Sequence, residues 1–134
     1  MKLPFSFLFL LFIGNINNDI SLSYYASTRG SSFEFEISNS ILKFSKNQKS
    51  GQKKLSKKEL KKIDALLSKI DLNAIPTLVP PSTKSHFDGA MAATLIIECN
   101  SKKFKSSTFD HGNPPNELKE LIDYIFDLIY IDSN

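Results

Sequence analysis

Cysteine occurs once in 134 residues, as Cys99, so no disulfide can form within the chain and stability must come from a packed core. At the end of an apolar run, Cys99 reads as a small packed hydrophobe, with interchain cross-linking the rarer use of an odd thiol. Beyond the first two dozen residues there is no second long hydrophobic run, which excludes a membrane span in the rest of the chain. Histidine is limited to His86 and His111, and no His-x-x-x-His spacing indicates a zinc site. No serine occupies a Gly-x-Ser-x-Gly elbow, and nothing near Cys99 would lower its pKa. These absences point away from an enzyme and call for no cofactor.

What is present begins with an export signal. Met1-Lys2 is positive, Phe5 to Ile13 is apolar except for Ser6, and Asn15, Asn17, Asn18 and Asp19 follow. That order is a signal peptide over residues 1–18, with the cut placed between 14 and 23. Ser21-Leu22-Ser23 is the most peptidase-like position, yet Ile20, Leu22 and Tyr24 alternate like one face of a strand, so a cut between about 14 and 19 is favoured. No cysteine follows the apolar stretch, so lipid anchoring of the lipoprotein type is not expected. Residues 19–134 remain as one exported domain.

Ile20 to Tyr24 and Phe33 to Ile37 alternate apolar and polar residues, the pattern of strands with one buried and one wet face. Ala26 to Ser31 is turn-rich and closes them into a hairpin. Asn39-Ser40 breaks the pattern, and Ile41 to Ser45 reads as a short third strand. Residues 46–54 offer no apolar side chain and read as a solvated loop. Ser56 and Glu59 form a capping box, with Leu55 and Leu60 placed for a hydrophobic staple. Leu60, Ile63, Leu67 and Ile70 recur at helical spacing, so a helix is predicted to end near Asp71 to Asn73, followed by an extended Pro-rich loop over 76–85. Ala90 to Cys99 suits a central strand, Asn100-Ser101 a two-residue turn, and Lys102 to Thr108 the return strand. Asn113 is predicted to cap a final helix, with Pro114 at its first position and a stripe from Leu118 to Ile129 facing the core. Two hairpin-plus-helix units result, ββ(β)αββα. Joined as one antiparallel sheet of four to five strands with two helices packed on it, they make an α+β fold.

That topology brings the segment before the fourth strand beside the segment after the fifth. His86, Asp88, Gly89, Asp110, His111 and Asn113 would then share one sheet edge. As a ligand site they would hold a metal or anion, Asn113 adding helix N-terminal amides. As structure, Asp88-Gly89 is a turn pair, Asp110 bonds its own loop and Asn113 is a cap. The second concentration is charge. Residues 43–62 carry nine lysines against Glu59, whereas six acids against Lys119 follow from Asp110 to the end. Lys53, Lys54, Lys57, Lys58, Lys61 and Lys62 could contact an anionic envelope surface or an acidic protein, or simply form a solvated face. Without arginine forks or interleaved aromatics, they do not form a nucleic-acid surface.

At Phe87-Asp88-Gly89 and Ser107-Thr108-Phe109-Asp110-His111-Gly112-Asn113-Pro114-Pro115 the chain resembles a group of small exported bacterial proteins of unknown function. The resemblance covers nearly the whole exported part, including the helix that runs on to Ile75-Pro76, and implies fold and location. The layout is also similar to emfourin, a small proteinaceous inhibitor of thermolysin-type metalloproteases. It matches in the opening hairpin, the helix begun by Leu55-Ser56, the strand start around Asp88, the second hairpin and the final helix around Leu118 to Ile122. Ala26 to Gly30 stands where that layout has a Gly-Gly turn, and no inhibitory residue carries over. The expectation is therefore a non-enzymatic exported domain that binds a protein or extracellular ligand, in its sharpest form a protease inhibitor. The alternative is metal or anion binding through His86, Asp88, Asp110 and His111.

Overall fold

Alternation of apolar and polar residues builds the first layer. In the computed structural model, which describes residues 20–132, β1 (Ile20–Thr28) and β2 (Ser31–Ser38) form a hairpin through Arg29-Gly30. The expected export segment, residues 1–18, lies outside the described residues. β3 (Ile41–Lys46) pairs with β2, and β4 (Lys49–Lys54) pairs with β3. After helix α1 (Lys57–Ser68) come β5 (Ala92–Cys99), β6 (Lys102–Lys105), β7 (Phe109–Asp110) and helix α2 (Asn116–Asp132). The sheet runs β4-β3-β2-β1-β5-β6 and is antiparallel at every pairing, with β7 also on β5. The β1–β5 contact joins the two hairpin units. This is an α+β fold.

Seven strands replace the four to five expected. The lysine-rich stretch 46–54, read as a loop, supplies β4, because an edge strand needs backbone partners rather than apolar side chains. Its polar, charged sequence suits a sheet edge. Asn47-Gln48 makes its hairpin turn with both φ positive, 49° and 73°. Asn39-Ser40 and Asn100-Ser101 do the same, the two-residue geometry whose twist matches that of the strands. The return strand is also divided. Ile96 pairs with Lys105 and Ala93 with Phe109, so residues 94 and 95 face 106, 107 and 108 across a one-residue bulge. Ser106 fills the break: its amide donates to the Leu95 carbonyl at 2.8 Å, and its Oγ accepts from the Leu95 amide at 2.9 Å.

Strand residues of one parity, among them Leu22, Tyr24, Phe35, Ile37, Leu42, Leu95 and Ile97, are buried in one core with α1 and α2. Both helices therefore cover the same sheet face. Ile63, Leu66 and Leu67 are the buried residues of α1. α2 buries Leu118, Leu121, Ile122, Ile125, Leu128 and Ile129, on the order of 10 kcal/mol of transfer free energy before chain entropy is subtracted. Cys99, at the end of β5, is free and only partly buried. No helix among the described residues is long and apolar enough to cross a membrane.

Three boundaries differ from the sequence reading. α1 starts as predicted, with both halves of the capping box formed at 2.9 and 3.1 Å, but stops at Ser68. The Lys69 amide tightens the end onto Leu66 and Leu67, and Asp71 caps a separate 3₁₀ segment, Leu72–Thr77, that contains Pro76. The loop expected over 76–85 is thus bounded by two 3₁₀ segments that take in its ends, the second at Lys84–Phe87. α2 starts at Asn116, after Pro114 and Pro115, so Asn113 is not its cap and Pro114 is not its first residue.

Candidate functional site

The excursion between α1 and β5 is anchored first by buried Ile75 and by the Ser107 hydroxyl, which donates to the Leu78 carbonyl at 2.5 Å, and then, around Lys84–Phe87, by one carboxylate. Asp110 sits in β7 opposite Ala92, where the chain enters β5, and is only 2% exposed. Its Oδ2 accepts from the Ser82 hydroxyl at 2.5 Å and from the Lys84 amide at 2.8 Å, while Oδ1 accepts from the Ser85 amide at 2.7 Å. Asn113 Nδ2 donates to Ser82 Oγ at 2.7 Å, extending the network to Asn113→Ser82→Asp110. A buried charge is costly unless its lone pairs are used, and here they are used on the first turn of Lys84–Phe87. Burial raises the Asp110 pKa, but the Ser82 hydroxyl and the Ser85 and Lys84 amides outweigh it and pull the carboxyl down to about 2.

The far end of that turn is closed by backbone geometry. Asp88 adopts φ 58°, its amide reaches the Ser85 carbonyl at 3.4 Å, and the Gly89 amide donates to the Lys84 carbonyl at 2.8 Å. A Cβ on Gly89 would lie 3.2 Å from the Lys84 carbonyl oxygen, so glycine lets the chain close on itself. Between pinned base and closed end, His86 and Phe87 face solvent. Phe87 is 84% exposed and Val79, on the same excursion, 80%.

His111 points elsewhere. Its amide donates to the Met91 carbonyl at 2.9 Å, while its Nδ1 lies 2.8 Å from the Tyr24 hydroxyl. The imidazole is half-buried among aromatic rings, 5.2 Å from Phe33 and 5.5 Å from Phe126 between centroids. Tyr24 stacks on Phe35 at 5.1 Å and meets the edge of Phe126 at 5.4 Å. Burial, then the Lys46 charge, hold the His111 pKa below its usual value. Burial, then Tyr130, raise that of Tyr24. The Tyr24 hydroxyl and His111 Nδ1 thus share one hydrogen bond inside this aromatic cluster, and Gly112 (φ 89°) turns the chain onward to Asn113.

The six residues read from sequence therefore divide three ways. Asp110 and Asn113 meet in the Ser82 network, His86, Asp88 and Gly89 lie exposed on the excursion, and His111 belongs to the core. No group of three or more His, Cys, Asp or Glu side chains that could hold a metal ion occurs among the described residues. Ser82, Ser85 and Tyr24 were not singled out from the sequence. Asp110 lies 28 and 25 residues from Ser82 and Ser85, and Tyr24 lies 87 from His111, so no local spacing announces them.

Of the basic residues, Lys53 pairs with Glu59 at 3.0 Å. The Ser56 amide holds the Glu59 carboxyl below its usual pKa against the effect of burial, with Lys53 adding to the lowering. Lys54, Lys57, Lys58, Lys61 and Lys62 are all exposed. No protein-family model matches the chain, and a search of curated proteins returns no match.

Proposed function

We propose that this chain is an exported, non-enzymatic binding domain that presents Phe87 to an apolar pocket on a protein partner, with inhibition of a co-secreted metalloprotease its sharpest form. The observation that carries the reading is Phe87 itself, 84% exposed on a turn whose base is locked by a buried carboxylate. Free loops lose entropy when they bind, and rigidifying one in advance recovers affinity. An aromatic ring that enters a pocket is the usual hot spot of a protein interface. The Asp110 network supplies the rigidity, and Asp88-Gly89 turns the chain sharply back toward β5. The export segment expected over residues 1–18 and the resemblance of the layout to a metalloprotease inhibitor support this partner class.

The test is titration of the purified domain against a panel of secreted thermolysin-type metalloproteases. The expected result is slowing at near-stoichiometric amounts, with Phe87→Ser at least about 30-fold weaker. So exposed a ring contributes little to folding, so the variant should melt within about 0.5 kcal/mol of the parent. No effect on any protease would remove the inhibitor form. Inhibition that survives Phe87→Ser would remove the loop from the mechanism.

A further inference from the structure

The lysines of α1 form a face that folding alone does not explain. At 3.6 residues per turn, Lys57, Lys61, Lys58, Lys69 and Lys62 occupy about 140° of the helix circumference. All five are exposed, and the only other residues in that sector are Ala65 and Ser68, also exposed. The two acids of the helix, Glu59 and Asp64, fall outside it. Lys69 reaches Glu120 at 3.6 Å, but none of Lys57, Lys58, Lys61 and Lys62 meets a carboxylate among the described residues.

This arrangement works against the helix that carries it. Lys57–Lys61 and Lys58–Lys62 are like-charge pairs at i,i+4, each destabilising. Lys57 and Lys58 also stand in the first turn, where the positive end of the helix dipole disfavours cations. A solvated surface stripe has no such requirement, since mixed signs would dissolve as well and stabilise more. An external anionic surface offsets both costs, since it supplies the counter-charge that the helix lacks.

We infer that the outward face of α1 docks on a bilayer surface of anionic phospholipid headgroups. Lysine is a compact, strongly hydrated charge on a flexible stem, suited to a laterally mobile array of phosphates, whereas shaped recognition of a carboxylate favours the arginine fork. The large exposed apolar residues, Tyr25, Val79, Phe87 and Tyr130, all lie on other elements, and the groove beside Lys58, Lys61 and Lys62 adds only the half-buried Tyr124, short of the apolar centre of a protein interface. The exposed Lys49 and Lys54 of β4, the strand that leads into α1, add to the basic charge. Attachment here is independent of the Phe87 reading.

The test is co-sedimentation of the full exported domain with phosphatidylcholine vesicles, with and without phosphatidylglycerol, at low and raised salt. Binding should require phosphatidylglycerol and be released by salt. Replacing Lys58, Lys61 and Lys62 by Gln should weaken it on the order of a hundredfold. The matched variant with Gln at the exposed Lys102, Lys103 and Lys105 of β6 should bind like the parent. Because the α1 replacements remove like-charge neighbours, that variant should melt no lower than the parent, which a circular dichroism melt checks. Failure to bind anionic vesicles, or equal loss in the β6 variant, overturns the assignment. Capture by soluble polyglutamate with no vesicle binding also overturns it, and gives the face to an acidic protein instead.

Discussion

Asp110→Asn is a near-isosteric change with a sharp expected consequence. The carboxylate accepts from two amides and a hydroxyl, on opposite oxygens. An asparagine has one carbonyl oxygen, so in either orientation its NH₂ faces one of the two amides. If the oxygen takes Ser85, the Lys84 amide is orphaned; flipped, the Ser85 amide is. Ser82 can rotate to accept instead of donate, so the hydroxyl is not the problem. An unsatisfied buried donor costs about 1–3 kcal/mol, and the surviving amide bond loses its charge assistance, about 1 kcal/mol more. The expected loss is about 3 kcal/mol, read from urea unfolding at neutral pH by far-ultraviolet circular dichroism, since the chain has no tryptophan.

The pH profile supplies the independent check. The folded Asp110 pKa lies below its ordinary 3.8, at about 2, so the unfolded chain takes up the proton first. Stability from this group is complete above 3.8 and drains as pH falls toward 2. Asp110→Asn should lack that acid limb, so the two proteins converge in acid. Amide exchange at Lys84 and Ser85 should accelerate in the variant. A loss under about 1 kcal/mol with the acid limb unchanged would refute the account of Asp110 as the clamp of the excursion.

Other outcomes follow from the same geometry. His111 has a folded pKa below its ordinary 6.5, so the unfolded state binds the proton first; stability should fall as pH drops below that value, and His111→Phe should flatten this slope in the same unfolding assay. A chain starting at Asp19 should unfold cooperatively, whereas one starting at Tyr24 loses Leu22, 1% exposed between Ile37 and Ile97, and should be at least about 3 kcal/mol less stable in urea titration. In Gly51→Ala the new Cβ would fall 2.7 Å from the Phe44 ring, so a thermal melt should show a loss of about 1–2 kcal/mol, relieved by adding Phe44→Leu.

Much of this fold was legible in the chain because its signals are local. Phe33, Phe35 and Ile37 alternate within five residues, Ser56 and Glu59 cap within one turn, and Asn100-Ser101 makes its hairpin where the dipeptide stands. β4 escaped notice because hydrophobic patterning reports burial, and an edge strand is held by backbone hydrogen bonds that leave no such mark; Asn47, opening its turn, was the one available cue. Asn113 looked like a helix cap because Pro114 follows it, but a second proline moves the start to Asn116 and frees the amide for Ser82.

The candidate site divided along the same line. That the chain before β5 and the chain after β6 come together follows from strand order, which placed residues 86–89 beside 109–113; the hydrogen bonds form just upstream, at Ser82, Lys84 and Ser85. Which side chains meet does not follow from strand order, because it depends on pleat parity and on the bulge at 106–108. Asp110 and His111 are adjacent in sequence, yet one clamps the excursion and the other bonds Tyr24 in the aromatic core. The α+β sheet, its two amphipathic helices and a helix face whose only charges are lysines all follow from spacing within a few residues. The clamp of a buried carboxylate on the turn that exposes Phe87 joins residues 25 to 28 apart, contacts that exist once the strands have paired.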